Sequence, residues 1–336
     1  MERESAMNLK LFDNVQFIYE LVLAEMELAA LELDFSVNDN LRSFQCLSTC
    51  DSDALRKRLA YFDYVDGLAT DYSSIVKRNI TRSPNQYLTH WIYPYKGKYH
   101  PQMIRALLNV IGAQPGEVIL DPFVGSGTTL LECQLLGIDS IGIDVSHVCT
   151  LISKVKTQSM DVLEELEDVK EEVLNACRST TLFTFDESQE KQKGDLGQTL
   201  NNIEDERVRN FYKAAELIAH SDKSRRKKKD FYGSFQTNVE KMLTSTRDYS
   251  ELVEELKLPL GKVRIDAGDA RNLDLKNESI DGIITSPPYS IALDYVKNDA
   301  HALSALGYDL EKVRDDFIGV RGTGTRKVEL YNRDIR

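Results

Sequence analysis

Two short stretches of this chain carry residues arranged for chemistry rather than for packing. In the first, Asp121, Pro122 and Phe123 follow the apolar run Val118–Leu120 and lead into Gly125, Ser126, Gly127, Thr128 and Thr129. Gly125 and Gly127 lack a Cβ, so the backbone can turn tightly and approach a ligand closely. Ser126, Thr128 and Thr129 are candidate caps for the helix that follows, whose free N–H groups suit a nucleotide or a carboxylate. In the second stretch, Ser286, Pro287, Pro288 and Tyr289 form a turn after another apolar run. Consecutive prolines fix the backbone and remove two N–H donors. A hydroxyl, free carbonyls and an aromatic ring side by side suit a planar base that bears an amino group.

The elements that must position these turns are legible as alternating strands and helices. Val118–Leu120 reads as a buried strand, and Leu130, Leu131, Cys133 and Leu136 as a helix that stops near Gly137. The next strand ends at Asp144, where an acid about 20 residues after the glycine turn can hold a ribose diol. The third Gly of a dinucleotide fingerprint is missing, and no Lys-Ser or Lys-Thr follows, so a phosphate loop is excluded. A third strand, Val263–Ile265, has Asp269 just past its end, and a fourth, Ile280–Thr285, ends on the proline turn.

Around this core, residues 1–80 predict a small α/β module. It comprises a strand at Val15–Tyr19, a short helix around Met26–Leu33, and a second helix, capped by Asp51 or Ser52, carrying Leu55, Leu59, Phe62 and Val65. Residues 79–101 read as a shaped loop punctuated by Pro84, Pro94, Gly97 and Pro101, with Lys96 and Lys98 near the start of the nucleotide site. From 156 to 258 the composition shifts to acidic amphipathic helices, with a loop-like stretch over 181–199, which reads as an insertion between the second and third core strands. It holds Lys223, Arg225, Arg226, Lys227, Lys228 and Lys229, six cations in seven residues, followed by Phe231 and Tyr232. In an otherwise acidic chain this is a candidate contact for nucleic-acid phosphates, beside rings that can stack on bases.

The net charge of −12 over 336 residues argues against a surface covered in nucleic-acid contacts but not against a local basic groove. The five cysteines form no Cys-x-x-Cys pair, and His90 and His100 lack supporting ligands, so no metal site is expected. The cysteine usage fits a reducing cytoplasm, and no apolar run is long enough to span a membrane.

With both turns in view, the chain resembles the DNA N4-cytosine/N6-adenine amino-methyltransferases, which depend on S-adenosylmethionine. DPFVGSGTT is similar to that family's cofactor motif, TSPPY to its catalytic motif, and YPYKGKYHP to the segment before the cofactor motif. The likeness covers about 85–155 and 260–320. The stretch RKRLAY faintly resembles the lead-in of tRNA guanine-N2 methyltransferases, which leaves RNA as an alternative substrate to DNA. The resemblance implies a Rossmann-like class I methyltransferase domain, with its cofactor half at 81–155 and its catalytic half at 259–336. It implies that Asp121, Pro122, Phe123, Gly125, Ser126, Gly127 and Thr128 cradle the methionine part of the cofactor. Asp144 would then bind the ribose, Asp269 and Ala270 the adenine, and Lys98 the cofactor carboxylate. Ser286, Pro287, Pro288 and Tyr289 would hold a flipped-out base. Serine at the head of the turn is the form associated with cytosine N4. A full sheet of this family needs further strands after the catalytic one, so a missing C-terminal segment or a second subunit is expected to complete it.

Overall fold

The computed structural model describes residues 7–38, 40–47, 50–81, 83, 85–183, 195–225, 230–289 and 293–335. The chain begins with β1 (Met7–Leu11), α1 (Ile18–Ala30), β2 (Phe35–Asn38), β3 (Ser43–Cys46), α2 (Ser52–Arg58), β4 (Phe62–Val65), β5 (Leu68–Ala69) and α3 (Asp71–Lys77). The strands form an antiparallel sheet in the order β2-β3-β1-β4-β5. Two sequence-based expectations fail here. The strand expected at Val15–Tyr19 is the entry to α1, because the Glu20 carboxylate accepts the backbone N–H groups of Gln16 and Phe17 at 2.8 and 3.0 Å and starts a helix. The helix expected through Val65 stops at Arg58. Phe62 and Val65 do have helical spacing, but they pair with Leu11 and Leu9 of β1, and this buried pairing wins over the local pattern. Asp51 does cap α2, accepting Asp53 N–H at 2.9 Å.

The second unit contains α4 (Pro101–Val110), β6 (Val118–Asp121), α5 (Thr128–Leu135), β7 (Asp139–Asp144) and α6 (His147–Gln158). Helices α7 (Leu163–Phe183), α8 (Asp195–Asn202), α9 (Glu206–Arg225) and α10 (Phe231–Leu256) separate β7 from β8 (Val263–Ala267). The stretch expected as a loop over 181–199 is thus helical at both ends, and 184–194 lie outside the described residues. After β9 (Gly282–Ile283) come α11 (Tyr295–Asn298), α12 (Ala300–Ala305), α13 (Leu310–Asp316) and α14 (Gly324–Ile335). Strand β9 is shorter than the expected Ile280–Thr285, although Asp281 and Ile284 still donate to the Val118 and Leu120 carbonyls. The second sheet is parallel, in the order β8-β7-β6-β9. Its order reverses at β6, so a crevice opens beyond the strand ends between β6 and β9, where open α/β sheets bind ligands.

Ile152 and Val155 of α6, Phe211 and Tyr212 of α9, and Phe235 and Met242 of α10 share one buried cluster. Leu131 and Leu135 of α5 and Tyr249 of α10 join the core of the antiparallel sheet, so the two sheets share packing. A polar seam runs through this junction. Glu27 of α1 accepts from Ala60 N, Tyr61 N and Asn109 Nδ2 at 2.9–3.0 Å. Glu132 of α5 accepts from Tyr87 Oη at 2.6 Å, contacts His90 Nε2 at 2.8 Å and lies 3.6 Å from Arg105. Burial pushes Glu27 and Glu132 up to about 7 and holds His90 well below its ordinary range. Such a seam is costly to leave half-satisfied, so it specifies how the two units dock.

Candidate active site

A cleft of about 740 Å³, counting its open mouth, lies over the reversal of the parallel sheet. One wall is the glycine turn. Pro122, Phe123, Gly125, Ser126 and Thr128 line it, with Asp144 and Val145 from the end of β7. Gly125 and Gly127 have φ of +51° and +75°, the left-handed region. A Cβ on Gly127 would meet Ser153 Oγ at 2.8 Å and its Cα at 3.0 Å, so α6 packs directly on the turn. A Cβ on Gly125 would meet Tyr95 at 3.0 Å on the cleft side.

The hydroxyls of this turn do not cap α5. The helix begins after Gly127 with no side-chain cap, and Thr129 Oγ1 donates instead to Asp121 Oδ2 at 2.8 Å. The physical reason is depth: Thr129 is fully buried beneath the turn, beside the buried Asp121 carboxylate. Ser126 Oγ and Thr128 Oγ1 are buried without a hydrogen-bond partner while lining the cleft. Buried polar atoms are normally paired, so these two mark where a ligand's polar group fits.

Asp144 receives Gly125 N–H and Ser146 N–H at 2.9 Å each, and burial pushes it up to about 6. Its bonds tie the end of β7 to the glycine turn. Asp269 and Ala270 line the opposite wall with Gly268. The Asp269 carboxylate is held by the Arg271 guanidinium at 2.5–2.9 Å, which keeps it below its ordinary range. Lys98 also lines the cleft, but its ammonium donates to the carbonyls of His90 and Asn85 at 2.6 and 3.2 Å. Burial pushes Lys98 down to about 8.

The proline turn supplies Ser286 and Pro288 to the same cleft. Neither Pro287 nor Tyr289 is among the lining residues; Tyr289 is 58% exposed. Tyr289 N–H donates to Tyr295 Oη at 3.3 Å. Asp121 and Gly127 are likewise not lining residues. Asp121 is buried under the turn and is pushed up to about 6 by that burial. Of the basic run, Lys223 is exposed at the end of α9 and Arg225 closes that helix. Arg226, Lys227, Lys228 and Lys229 lie outside the described residues, as does Pro84.

Sequence reasoning missed several cleft residues. Tyr95, Tyr99 and Tyr295 form an aromatic wall, and Asp316, Phe317 and Ile318 at the end of α13 close one side. The repeated tyrosines of YPYKGKYHP were a usable signal for the wall. Tyr99 Oη is buried, its phenol is raised above its ordinary range by that burial, and Ser286 is the hydroxyl that faces it. Among the described residues no helix is long and apolar enough to cross a membrane, and no group of His, Cys, Asp and Glu forms a metal site.

This geometry agrees with what the chain is similar to. Residues 70–154 match the family model described as DNA methylase, the N6/N4 amino type. The type II methyltransferase M.BsoBI of Geobacillus stearothermophilus is 24% identical over an alignment covering 86% of this chain and 69% of that protein. The type II methyltransferase M.MjaII of Methanocaldococcus jannaschii is 39% identical over 116 residues, 33% of this chain but 21% of that relative's length. A tRNA (guanine(10)-N2)-dimethyltransferase of Methanothermobacter thermautotrophicus is 39% identical over 51 residues, 15% of each chain. Residues 70–154, which open the parallel sheet, are thus similar to the DNA amino-methyltransferases, a family that uses S-adenosyl-L-methionine, and the chain spans about a fifth of the length of M.MjaII.

Proposed function

We propose that the protein methylates an exocyclic amino group of a DNA base, cytosine N4 in preference to adenine N6, in a Rossmann-like class I domain. One observation carries the reading: the glycine turn, with its unpartnered Ser126 and Thr128 hydroxyls, and the Ser286–Pro288 turn open into one cleft. Bound there, S-adenosylmethionine supplies an electrophilic methyl group. The residues of Asp121–Thr128 shape its methionine end, with Asp144 toward the ribose and Asp269 and Ala270 toward the adenine. Lys98 acts through the carbonyls it holds as well as through its charge.

The acceptor side follows from the chemistry of an amino group on an aromatic ring. Its nitrogen lone pair is delocalised and points poorly. Ser286 Oγ and the Pro287 carbonyl accept its N–H groups, return density to nitrogen and aim it at the methyl. Alignment to near-attack distance supplies much of the rate, and no covalent enzyme intermediate is needed. The exposed Tyr289 ring is available to stack on a base extruded from the duplex. Ser286 favours cytosine because it is the serine form of the turn.

We further read 1–80 as a docking module, 81–155 and 259–336 as the two halves of the catalytic domain, and 156–258 as a recognition insertion. In the insertion, the cations from Lys223 to Lys229 contact phosphate. The test is incubation with labelled S-adenosylmethionine and duplex DNA, followed by digestion to nucleosides. Label in N4-methylcytosine is expected. Label in N6-methyladenine alone would overturn the cytosine assignment, and label in tRNA alone would favour the RNA reading that the tRNA-modifying relative suggests.

A further inference from the structure

The buried Asp121 carboxylate sits between the two turns, and its bonds run to both. Oδ2 accepts Thr129 Oγ1 at 2.8 Å, on the far side of the glycine turn. Oδ1 accepts Phe123 N–H at 3.2 Å and Thr285 Oγ1 at 2.9 Å. Thr285 immediately precedes Ser286. The backbone ladder between β6 and β9 ends one residue earlier, with Ile284 N–H donating to the Leu120 carbonyl at 3.1 Å. Beyond it, Pro287 and Pro288 have no N–H to donate. Among the described residues the next tie of the turn is the 3.3 Å bond from Tyr289 N–H to Tyr295 Oη.

We propose that Thr285 is a positioning residue: through Asp121 it holds the Ser286–Tyr289 turn at a set spacing from the glycine turn, and so sets the distance between methyl donor and acceptor nitrogen. The inference rests on the amino-methyltransferase reading above. Asp121 thereby has a different task from touching the cofactor, as its place beneath the cleft floor indicates. A shared carboxylate is suited to this task because both turns are referenced to one atom group, so a shift of one relative to the other must break a bond. Methyl transfer is sensitive to such shifts: a misplacement of about 1 Å can cost on the order of 10²-fold. Thr285 is not among the residues that line the cleft, and its methyl group can be kept while its hydroxyl is removed.

The experiment uses the full chain with Thr285→Val, which keeps the shape, and Thr285→Ser, which keeps the hydroxyl. The Val variant is expected to lower kcat by roughly 10- to 100-fold while the Kd for S-adenosylmethionine stays within about threefold. Thr285→Ser is expected to restore most of the rate. An unchanged kcat in Thr285→Val would overturn the proposal. So would a fall that Thr285→Ser fails to rescue, or a loss that tracks cofactor affinity. A carbon-13 titration of the Asp121 carboxyl checks the tie without any substrate. Its midpoint, about 6 in the parent chain, is expected to rise in Thr285→Val, because a donor that favours the charged form is gone. An unmoved midpoint shows that the bond is not made and also overturns the proposal. If the parent chain transfers no methyl group to any nucleic acid, the functional reading falls while the titration still decides the tie.

Discussion

The glycine turn and the proline turn face each other across one cleft, yet they are built in opposite ways. The glycine turn is locked from beneath and behind by Asp121, by Asp144 and by α6 packed on Gly127. Its own bonds hold it in place, with the buried Ser126 and Thr128 hydroxyls left without a hydrogen-bond partner beside the cleft. Among the described residues the proline turn has few ties, with no N–H at its two prolines and an exposed ring at its end. A cofactor of constant shape rewards a preformed cradle, since ordering is then done in folding rather than in binding. A base that must leave a duplex needs an open approach and a surface to stack on. On the proposed function, the rigid turn serves the donor and the sparsely tied turn the acceptor.

The largest effect that would break this division is on chemistry alone. Ser286→Ala is expected to lower kcat by about 10²- to 10³-fold, as for other preorganised hydrogen-bonding groups, with cofactor affinity and Tm nearly unchanged. Steady-state kinetics beside calorimetry would check it, and a matching loss of cofactor binding would contradict the assignment. On the donor side, binding and stability should fall together. Gly127→Ala places a Cβ against Ser153 in the left-handed region and is expected to cost about 1–3 kcal/mol of stability, with at least a tenfold weaker Kd for S-adenosylmethionine. Chemical denaturation and titration calorimetry measure both; intact binding would show that the turn has slack.

A pH experiment separates the scaffold from the turns. Glu27 and Glu132 are raised from an ordinary 4.5 to about 7, and Asp121 and Asp144 from 3.8 to about 6. All four hold protons in the folded chain over a range where the unfolded chain has lost them. Their contribution to stability is therefore full below the unfolded values and is lost as pH rises through about 6 to 7. His90, kept neutral by burial, works the other way below its ordinary 6.5. Glu27→Gln should flatten the decline in stability between pH 5 and 7.5 while leaving cofactor affinity alone, as urea melts at several pH values would report. The smallest effect is Tyr295→Phe. It removes one long hydrogen bond from the proline turn and should lower kcat by only about two- to fivefold. An effect larger than that of Thr285→Val would move the main anchor of the turn from Asp121 to Tyr295.

Much of this molecule is determined by local pattern. Val118–Leu120, the two glycines and the apolar helix after them dictate a strand, turn and helix, because a turn with left-handed residues needs Gly wherever a strand must feed a helix at once. The Ser-Pro-Pro-Tyr turn is likewise written in residues that permit few conformations. What local pattern could not reach is pairing. Phe62 and Val65 have helical spacing but lie in a strand, since β1 buries them. Val15–Tyr19 is a strand-like run but leads into a helix, since Glu20 accepts the N–H groups of Gln16 and Phe17. The same limit holds in the site. Asp121 and Thr129 read as a ligand contact and a helix cap, and only the packed sheet makes them a strut to Thr285, more than 150 residues away in sequence. Tyr95 and Tyr99 come from one loop and Tyr295 from a segment about 200 residues on, and the cleft they wall exists only once β9 lies beside β6. Residue types alone pointed to the chemistry proposed for the chain; the reversal of strand order decided which groups meet, because contacts between distant segments follow from burial and register rather than from neighbouring sequence.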